Sequence, residues 1–135
     1  ELYRNGADDV FVGDPDPGGD LLQKMVDYDR GKVTIQTGQD FKKQGEYQLR
    51  PDASRDVLRF MGTRTDEAVS PVNTSPRLKG SITVDNDLYG RYRGEMQIAL
   101  ANLPADERVN VIGMVEQRDL PVLVHLKPGM IIELV

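Results

Sequence analysis

The residues best equipped for chemistry lie in positions 80–100, in the stretch GSITVDNDLYGRYRGEMQIAL. Tyr89, Arg91 and Tyr92 place two phenols and a guanidinium within four positions, shortly after the polar run DND. Asn86, Tyr89 and Arg91 could aim polar groups at a ligand from the rim of a sheet. The same stretch also suits an exposed turn between two strands, because Asp and Asn favour turns. The sequence leaves both interpretations open.

Two other polar residues stand in or beside strand-like segments. In RGEMQIAL, apolar and polar residues alternate from Met96 onward, and Glu95 falls on the polar face. We therefore expect Glu95 to face solvent. Asn110 stands between Val109 and Val111. We expect Asn110 to be buried, and a buried amide needs hydrogen-bond partners.

Four arginines fall within fifteen positions. In RDVLRFMGTR, strand alternation puts Arg59 on the face of Val57 and Met61, so we expect it to point inward or along a cleft. Asp52 and Asp56 are close enough in sequence to pair with it. One interpretation is a set of surface ion pairs, which contribute little to stability; the other is a guanidinium fork that binds phosphate or carboxylate. The four are Arg50, Arg55, Arg59 and Arg64.

Several reaction classes lack the residues that they require. The chain has no cysteine, and His125 is its single histidine, so no thiolate site, histidine-based metal site or triad is predicted. No nucleophile elbow, P-loop or dinucleotide fingerprint occurs. GDPDPGG is acidic, but its spacing does not fit an EF-hand loop. We predict no cofactor and no metal, and a strand position for His125, packed or exposed.

The charge distribution argues against a nucleic-acid partner. The net charge is −5, and residues 1–20 carry six acids and one base. The other 115 residues hold 16 acids and 16 bases. They lack the basic surplus that binds a phosphate backbone, although a local arginine cluster can still bind a small anion.

The sequence favours a cytoplasmic protein without membrane contact. No run approaches the roughly 18 apolar residues that cross a membrane, and no signal-peptide pattern opens the chain. The absence of cysteine suits a reducing compartment. Because the chain opens ELYRNGADDV without Met, we expect it to be a piece of a longer protein.

Two segments differ in their patterns. Residues 10–12 (VFV) are typical of a strand buried on both faces of a parallel sheet, and a helix from the N-cap Asp20 to Gly31 follows. From Lys32 onward, short strands alternate with turns, which predicts a mainly β sandwich or closed barrel. The predicted strands are 32–37, 46–50, 57–62, 80–84, 91–100, 108–116, 122–126 and 130–135.

Five blocks of the chain occur in the same order in one bacterial family. They are GADDVFVGDPD, LRPDASRDVLR, RLKGSITVDNDLYGRYRGEMQI, LPADERVNVIG and LKPGMIIEL. Over nearly its whole length the chain resembles a family first described as outer surface proteins or as a domain of unknown function. The characterised members of that family are 6-phospho-N-acetylmuramidases. The third block and RVNVIG are long enough to make the resemblance specific.

The resemblance implies a particular domain organisation. In that family a TIM barrel precedes a smaller, cyclophilin-like closed β-barrel. Residues 1–28 would then be the last βα unit of the TIM barrel, and residues 29–135 the cyclophilin-like domain. The N-terminal TIM barrel of the same protein is thus an expected partner.

The resemblance also implies a function. The family hydrolyses MurNAc-6-phosphate–GlcNAc inside the cell during peptidoglycan recycling, so a phosphorylated amino sugar is the expected ligand. The domain would cover the barrel mouth and be inactive alone. Asp14, at the end of the first strand, would reach the barrel rim. We expect the arginines to bind phosphate or the lactyl carboxylate, and Asn86 and Tyr89 to bind sugar hydroxyls. The residues that match family motifs are Arg50, Asp52, Arg59, Arg64, Asn86, Tyr89, Arg91, Glu95 and Asn110.

One departure from the family pattern affects the expected ligand. A His-Asn pair often precedes the Arg-x-Asp motif, but Gln48 and Leu49 stand here. If that histidine serves the site, this member has a changed ligand preference or no activity. Three functions therefore remain: an accessory domain of a phosphosugar glycosidase, a non-catalytic sugar- or anion-binding module, and an interaction domain.

Overall fold

The computed structural model describes residues 31–52 and 54–135. The predicted βα unit at residues 1–28, including Asp14, lies outside the described residues. Seven strands and two 3-10 helices form in the described part of the chain. The strands are β1 (Lys32–Ile35), β2 (Gly45–Gln48), β3 (Val57–Arg59), β4 (Ser81–Asp85), β5 (Met96–Ala99), β6 (Val109–Met114) and β7 (Ile131–Leu134), and the 3-10 helices are Asp87–Tyr92 and Gln117–His125.

The strands pair into two sheets, in the orders β1-β7-β2 and β3-β5-β4-β6. Strand β7 runs parallel to β1 and antiparallel to β2, while all pairs of the second sheet are antiparallel. All five residues of β4, which pairs on both sides, are buried. The predicted mainly β fold is confirmed at this level.

A single apolar cluster is shared by both sheets. Alternation along β1 and β7 buries Ile35 and Ile132, and their neighbours in sequence are more exposed. Phe60, Ile82 and Ile98 reach the same cluster from the second sheet. Burial of each such side chain contributes about 1.5–3 kcal/mol. The cluster therefore holds β3, β4 and β5, which carry the polar residues discussed below, in fixed register.

Two isolated bridges join the edges of the sheets. Leu49 pairs with Phe60 between the ends of β2 and β3, and Thr37 pairs with Val115 between the ends of β1 and β6. The strands are nevertheless assigned to two sheets rather than to one closed barrel. A cyclophilin-like closed barrel therefore stays a prediction.

Seven of the eight predicted strands occur in the described residues, with bounds that are shortened or shifted by one residue. The predicted strand at 122–126 is wrong, because this segment belongs to the second 3-10 helix. Leu123 and Leu126 are both buried, and Val124 is exposed. Leu126 follows the helix as its C-cap, and burial at a spacing of three does not fit the alternation of a strand. His125 is therefore not a strand residue; it lies exposed at the end of this helix.

Candidate functional site

Glu95 is buried, with 1% of its surface exposed, against two arginines. Arg59 donates from Nε to Glu95 Oε2 at 3.0 Å and from Nη2 to Oε1 at 3.3 Å, and Arg64 Nε donates to Oε1 at 3.0 Å. Gln97 Nε2 donates to Oε2 at 3.3 Å. The predicted solvent position of Glu95 is wrong. Strand β5 begins at Met96, so the alternation behind that prediction does not extend to Glu95.

Electrostatics keep the Glu95 carboxyl ionised. Burial is the largest influence on its pKa and raises it, but the hydrogen bonds and charge of Arg59 and the bond from Arg64 outweigh burial and lower the pKa. The hydrogen bond to Glu95 is likewise the main reason that the pKa of Arg59 is raised. Removing one partner from such a pair leaves a buried charge uncompensated.

Asp52 links Arg59 to Arg50. Arg59 Nη1 lies 3.4 Å from Asp52 Oδ2, and Arg50 Nε lies 3.0 Å from Asp52 Oδ1. Hydrogen bonding within its own backbone is the largest influence on the pKa of Asp52 and lowers it; burial opposes this, and the bond from Arg50 lowers the pKa further. The predicted pairing of Arg59 with Asp52 is confirmed. Asp56 contacts Arg55 instead, with Nε and Oδ1 3.3 Å apart.

Gly94 allows the loop that carries Arg64 to pack beside Glu95. Its φ is +89°, and a Cβ at this position would lie 2.6 Å from Thr65 Cγ2 and 2.9 Å from Thr63 O. Both the backbone conformation and the close approach require glycine. Residues 63–65 can therefore lie against the start of β5, which brings the Arg64 guanidinium to the Glu95 carboxylate.

A second buried carboxyl lies beside the first. Asp85 ends β4 and is 1% exposed. Gln97 Nε2 lies 3.4 Å from Asp85 Oδ2 and 3.3 Å from Glu95 Oε2, so one amide contacts both carboxyls. Within the described residues Asp85 Oδ1 has no hydrogen-bond partner. Burial, followed by the charge of Glu95, raises the pKa of Asp85 to about 7. Neighbouring carboxyls whose pKa values are displaced in opposite directions are typical of functional sites.

Two tyrosines of the first 3-10 helix form an aromatic pair next to these carboxyls. The rings of Tyr89 and Tyr92 meet edge to face, with centroids 5.6 Å apart. Arg108 lies 4.4 Å from the Tyr89 ring centroid, and Arg64 lies 4.6 Å from that of Tyr92. Arg91 Nη2 donates to the Tyr92 hydroxyl at 3.1 Å, and this bond lowers the pKa of Tyr92. Cations therefore hold both rings in place.

Asn86 and Asn110 form a buried amide pair. The Asn86 Nδ2 donates to Asn110 Oδ1 at 2.9 Å and to Glu107 O at 2.8 Å, while its Oδ1 accepts from Leu88 N at 3.0 Å. Asn110 Nδ2 donates to Ser70 O at 2.9 Å. The predicted burial of Asn110 is confirmed. Both amide hydrogens of Asn86 are used inside the domain, so the expected contact of Asn86 with a sugar hydroxyl must be corrected: Asn86 caps the first 3-10 helix.

A cleft of about 460 Å³ brings part of the predicted site together. Arg59, Tyr89 and Glu95 all line it, and Asp85 and Gln97 line it with them. The clustering of three predicted residues favours a ligand site over a simple exposed hairpin. The candidates that do not line the cleft are Arg50, Asp52, Arg64, Asn86, Arg91 and Asn110.

Five polar residues outside the predicted set also line the cleft, namely Asp56, Arg77, Asp85, Tyr92 and Gln97. Tyr92 belongs to the group of rings and cations that the sequence singled out, although it was not among the predicted ligand contacts, whereas no sequence pattern indicated a role for Asp85. Gln97 alternates with apolar residues and would pass for a solvent residue. Only the register that places Arg59 and Thr83 beside Gln97 reveals its position.

In the ranges 31–52 and 54–135, no group of three or more His, Asp or Glu residues is arranged to hold a metal ion. No helix in that part of the chain is both long and apolar enough to cross a membrane.

The sequence around this cleft matches a known family. The family model described as 6-phospho-N-acetylmuramidase, C-terminal, matches residues 32–135. The chain belongs to this family. The matched range contains every strand described above and every described residue that lines the cleft. A comparison with curated proteins gave no match.

Two solved structures resemble this 6-phospho-N-acetylmuramidase C-terminal domain. A conserved Enterococcus faecalis protein of unknown function is 32% identical, with a TM-score of 0.71 over 80% of this chain and 31% of that chain. An uncharacterized B. cereus protein is 21% identical, with a TM-score of 0.67 over 77% of this chain and 33% of that chain, and supports the fold alone. The chain spans about a third of the length of each of these proteins.

The C-terminal domain departs from the expected family pattern away from the cleft. Leu49 is buried in the core and forms the bridge to Phe60. Gln48 is exposed, and its Nε2 donates to Gly129 O at 3.2 Å. Neither residue lines the cleft. The Gln48-Leu49 replacement therefore changes the core and an outer loop contact rather than the lining described here.

Proposed function

We propose that this domain forms one wall of the substrate site of a 6-phospho-N-acetylmuramidase. In the longer protein it covers the mouth of an N-terminal TIM barrel, whose last βα unit is residues 1–28, with Asp14 at the rim. The two domains together hydrolyse MurNAc-6-phosphate–GlcNAc in the cytoplasm. Glycoside cleavage usually needs two carboxyl groups, which the barrel supplies, and the domain alone is inactive.

The observation that carries this proposal is the aromatic pair beside the ionic cluster in one cleft. A sugar presents apolar C–H faces and a rim of hydroxyls. Tyr89 and Tyr92 offer ring surface for the former, and Gln97 and Asp85 offer polar atoms for the latter. A concave site with a few convergent polar groups is what binds a small polar ligand.

Arg64 does not line the cleft, but it contacts Glu95 and Tyr92, which do, and it is the residue best placed to bind the phosphate. Only its Nε bonds to Glu95, and no acceptor within the described residues bonds its two terminal nitrogens. The side chain is 40% exposed. Arg59 and Arg64 together outweigh the single charge of Glu95, so this group keeps one positive charge for an anion. Guanidinium groups bind phosphate through two parallel hydrogen bonds.

We propose also that the bridges Leu49–Phe60 and Thr37–Val115 close the two sheets into the cyclophilin-like barrel that the family implies. Together with the sheet orders they link every strand to two neighbours. A closed sheet has no free edge. The rim that carries Arg59 and Asp85 would then be rigid before ligand arrives.

Calorimetry with the 135-residue chain tests the proposal. We expect MurNAc 6-phosphate to bind more tightly than MurNAc. Arg64→Gln should lower the affinity for the phosphorylated sugar by about 10-fold, which is the contribution of a charge-assisted hydrogen bond. It should have little effect on the affinity for MurNAc. Arg55→Gln is the matched control, since the Arg55 side chain is 92% exposed. Equal affinity for both sugars, or an equal loss in both variants, would overturn the assignment of Arg64.

A turnover assay separates this function from a non-catalytic sugar- or anion-binding domain. The full-length protein should release GlcNAc from MurNAc-6-phosphate–GlcNAc, and the 135-residue chain should not. Binding of the sugar by the chain without turnover by the full-length protein would favour the binding module.

A further inference from the structure

Asp85 holds a buried polar atom that the fold leaves unbonded at the cleft. Its Oδ2 accepts from Gln97 Nε2 at 3.4 Å, whereas its Oδ1 has no partner in residues 31–52 and 54–135. Oδ1 is the only buried side-chain nitrogen or oxygen of that kind within these ranges. Buried polar atoms are almost always hydrogen-bonded. Because Asp85 lines the cleft, a ligand there can supply the bond.

The neighbouring charges decide in which form Asp85 meets a ligand. Glu95 contacts the same Gln97 amide and is ionised, because it takes the hydrogen bonds of Arg59 and Arg64. A second negative charge on Asp85 would face Glu95 with no arginine bonded to it. Asp85 is thus the member of the pair that retains its proton.

The charged groups on the other elements around Asp85 also favour its protonated form. Glu95 and Asp106 raise its pKa, and Arg59 and Arg108 lower it, but burial has the largest effect and raises it to about 7. Asp106 and Arg108 neutralise one another through a bond of 2.8 Å. Below neutral pH the Asp85 carboxyl is therefore a hydrogen-bond donor.

We propose that Asp85 donates a hydrogen bond from Oδ1 to an uncharged acceptor oxygen of the ligand, of the kind that the acetamido carbonyl of an amino sugar presents. This inference rests on the proposed function of the cleft. The acceptor at Oδ1 is uncharged because an anion in this place would face the Glu95 carboxylate with no arginine bonded to Asp85, whereas the terminal nitrogens of Arg64 serve the phosphate. Asp85 thus recognises the acetamido group, and Arg64 binds the phosphate.

Affinity measured at two pH values tests the protonated form. For the wild-type chain with MurNAc 6-phosphate, only the protonated fraction of Asp85 binds. The affinity relative to Asp85→Asn should therefore fall about 10- to 30-fold from pH 5.5 to pH 8.5. Asp85→Asn is the matched control, because its amide keeps a donor that does not titrate, and the ligand phosphate titrates equally in both experiments.

A pair of sugars tests the acceptor. Asp85→Ala should bind GlcNAc 6-phosphate about 10-fold more weakly at pH 5.5 and leave glucose 6-phosphate, which lacks the acetamido group, unchanged. Thermal unfolding of each variant verifies that it is folded, and the Asp85→Asn comparison holds if Asp85→Ala does not fold.

The outcomes separate this inference from the proposed function. If wild type binds no phosphorylated amino sugar at either pH, the proposed function fails and the inference fails with it. If wild type binds but Asp85→Asn keeps the wild-type pH dependence, the inference alone is overturned. The inference alone is also overturned if Asp85→Ala lowers the affinity for both sugars equally, or for neither. In that case a water molecule rather than the sugar bonds Oδ1.

Discussion

Arg59, the last residue of β3, and Glu95, the residue before β5, form a two-bond ion pair, with Nε and Oε2 3.0 Å apart and Nη2 and Oε1 3.3 Å apart. The carboxylate is buried, while the guanidinium remains partly accessible and lines the cleft. The pair therefore anchors the loop before β5, and in the proposed function it also presents a cation to the ligand. That function thus links stability and ligand binding through these two residues.

Replacing Glu95 by Gln should lower the free energy of unfolding by about 2–4 kcal/mol at pH 7, because the two arginines lose a buried counter-charge. The pKa of Glu95 is lowered in the folded state. Its contribution is therefore present above its ordinary value of 4.5 and is lost as pH falls through the lowered value. Denaturant titration at pH 7 and pH 3 measures both effects. Glu67→Gln, on an exposed loop, is the control and should change stability by less than about 0.5 kcal/mol. An equal effect of Glu95→Gln at both pH values would contradict the account.

Asp85 should make the domain less stable as pH rises from about 4 to about 7. The unfolded carboxyl ionises near 3.8, whereas the folded one keeps its proton up to about 7, so the folded state binds more protons over this interval. We predict that Asp85→Asn stabilises the protein by about 2–3 kcal/mol more at pH 8 than at pH 5. Urea unfolding at the two pH values gives this difference. A difference that does not change with pH would show that Asp85 is ionised throughout.

Much of the fold could be predicted because its strands follow a simple rule. Ile35 and Ile132 stand in clear alternation, and turns bound each segment, so seven strands were recognised. The segment around Leu123 misled the prediction, since β-branched residues there favour a strand locally while the core requires a spacing of three. Local propensity does not reveal which of two periods the tertiary structure will bury.

Gly94→Ala should destabilise the protein by at least about 2 kcal/mol more than Gly62→Ala. Both glycines have positive φ, but only a Cβ at Gly94 would meet the backbone of residues 63–65, whereas a Cβ at Gly62 meets nothing within 4 Å. Both variants therefore place alanine at a positive φ, and the difference between their losses of stability measures the clash of the added Cβ with residues 63–65. Thermal denaturation of the two variants measures their losses of stability. Equal losses would mean that the loop carrying Arg64 does not pack against Gly94.

Asn86→Ala and Asn110→Ala should each lower the free energy of unfolding by about 2–3 kcal/mol, because each leaves a buried partner unbonded. Their effects should couple by about 1 kcal/mol in a double-mutant cycle, since the two amides bond directly at 2.9 Å. Asn102→Ala is the control: it removes a single bond, from Lys79 N to Asn102 Oδ1, at an exposed position and should lower the free energy of unfolding by only about 1 kcal/mol. Additive losses would show that the two amides act independently.

The candidate site was predicted only in part, because residue type is visible in the sequence and strand register is not. Arg59 and Tyr89 were recognised because cations and rings are conspicuous in sequence. Glu95 was placed in solvent, and Asp85 and Gln97 were overlooked, because these residues are joined by contacts between positions 12 to 36 residues apart, which strand register sets. Residue type shows that a group can bind a ligand, but register decides whether it faces one.

Backbone amide NMR of the 135-residue chain, titrated with MurNAc 6-phosphate, tests the central claim most directly. The account predicts saturable shifts at Arg59, Asp85, Tyr89, Tyr92 and Gln97, with resonances of the second 3-10 helix unchanged. The absence of any shift, or shifts confined to that helix, would contradict it.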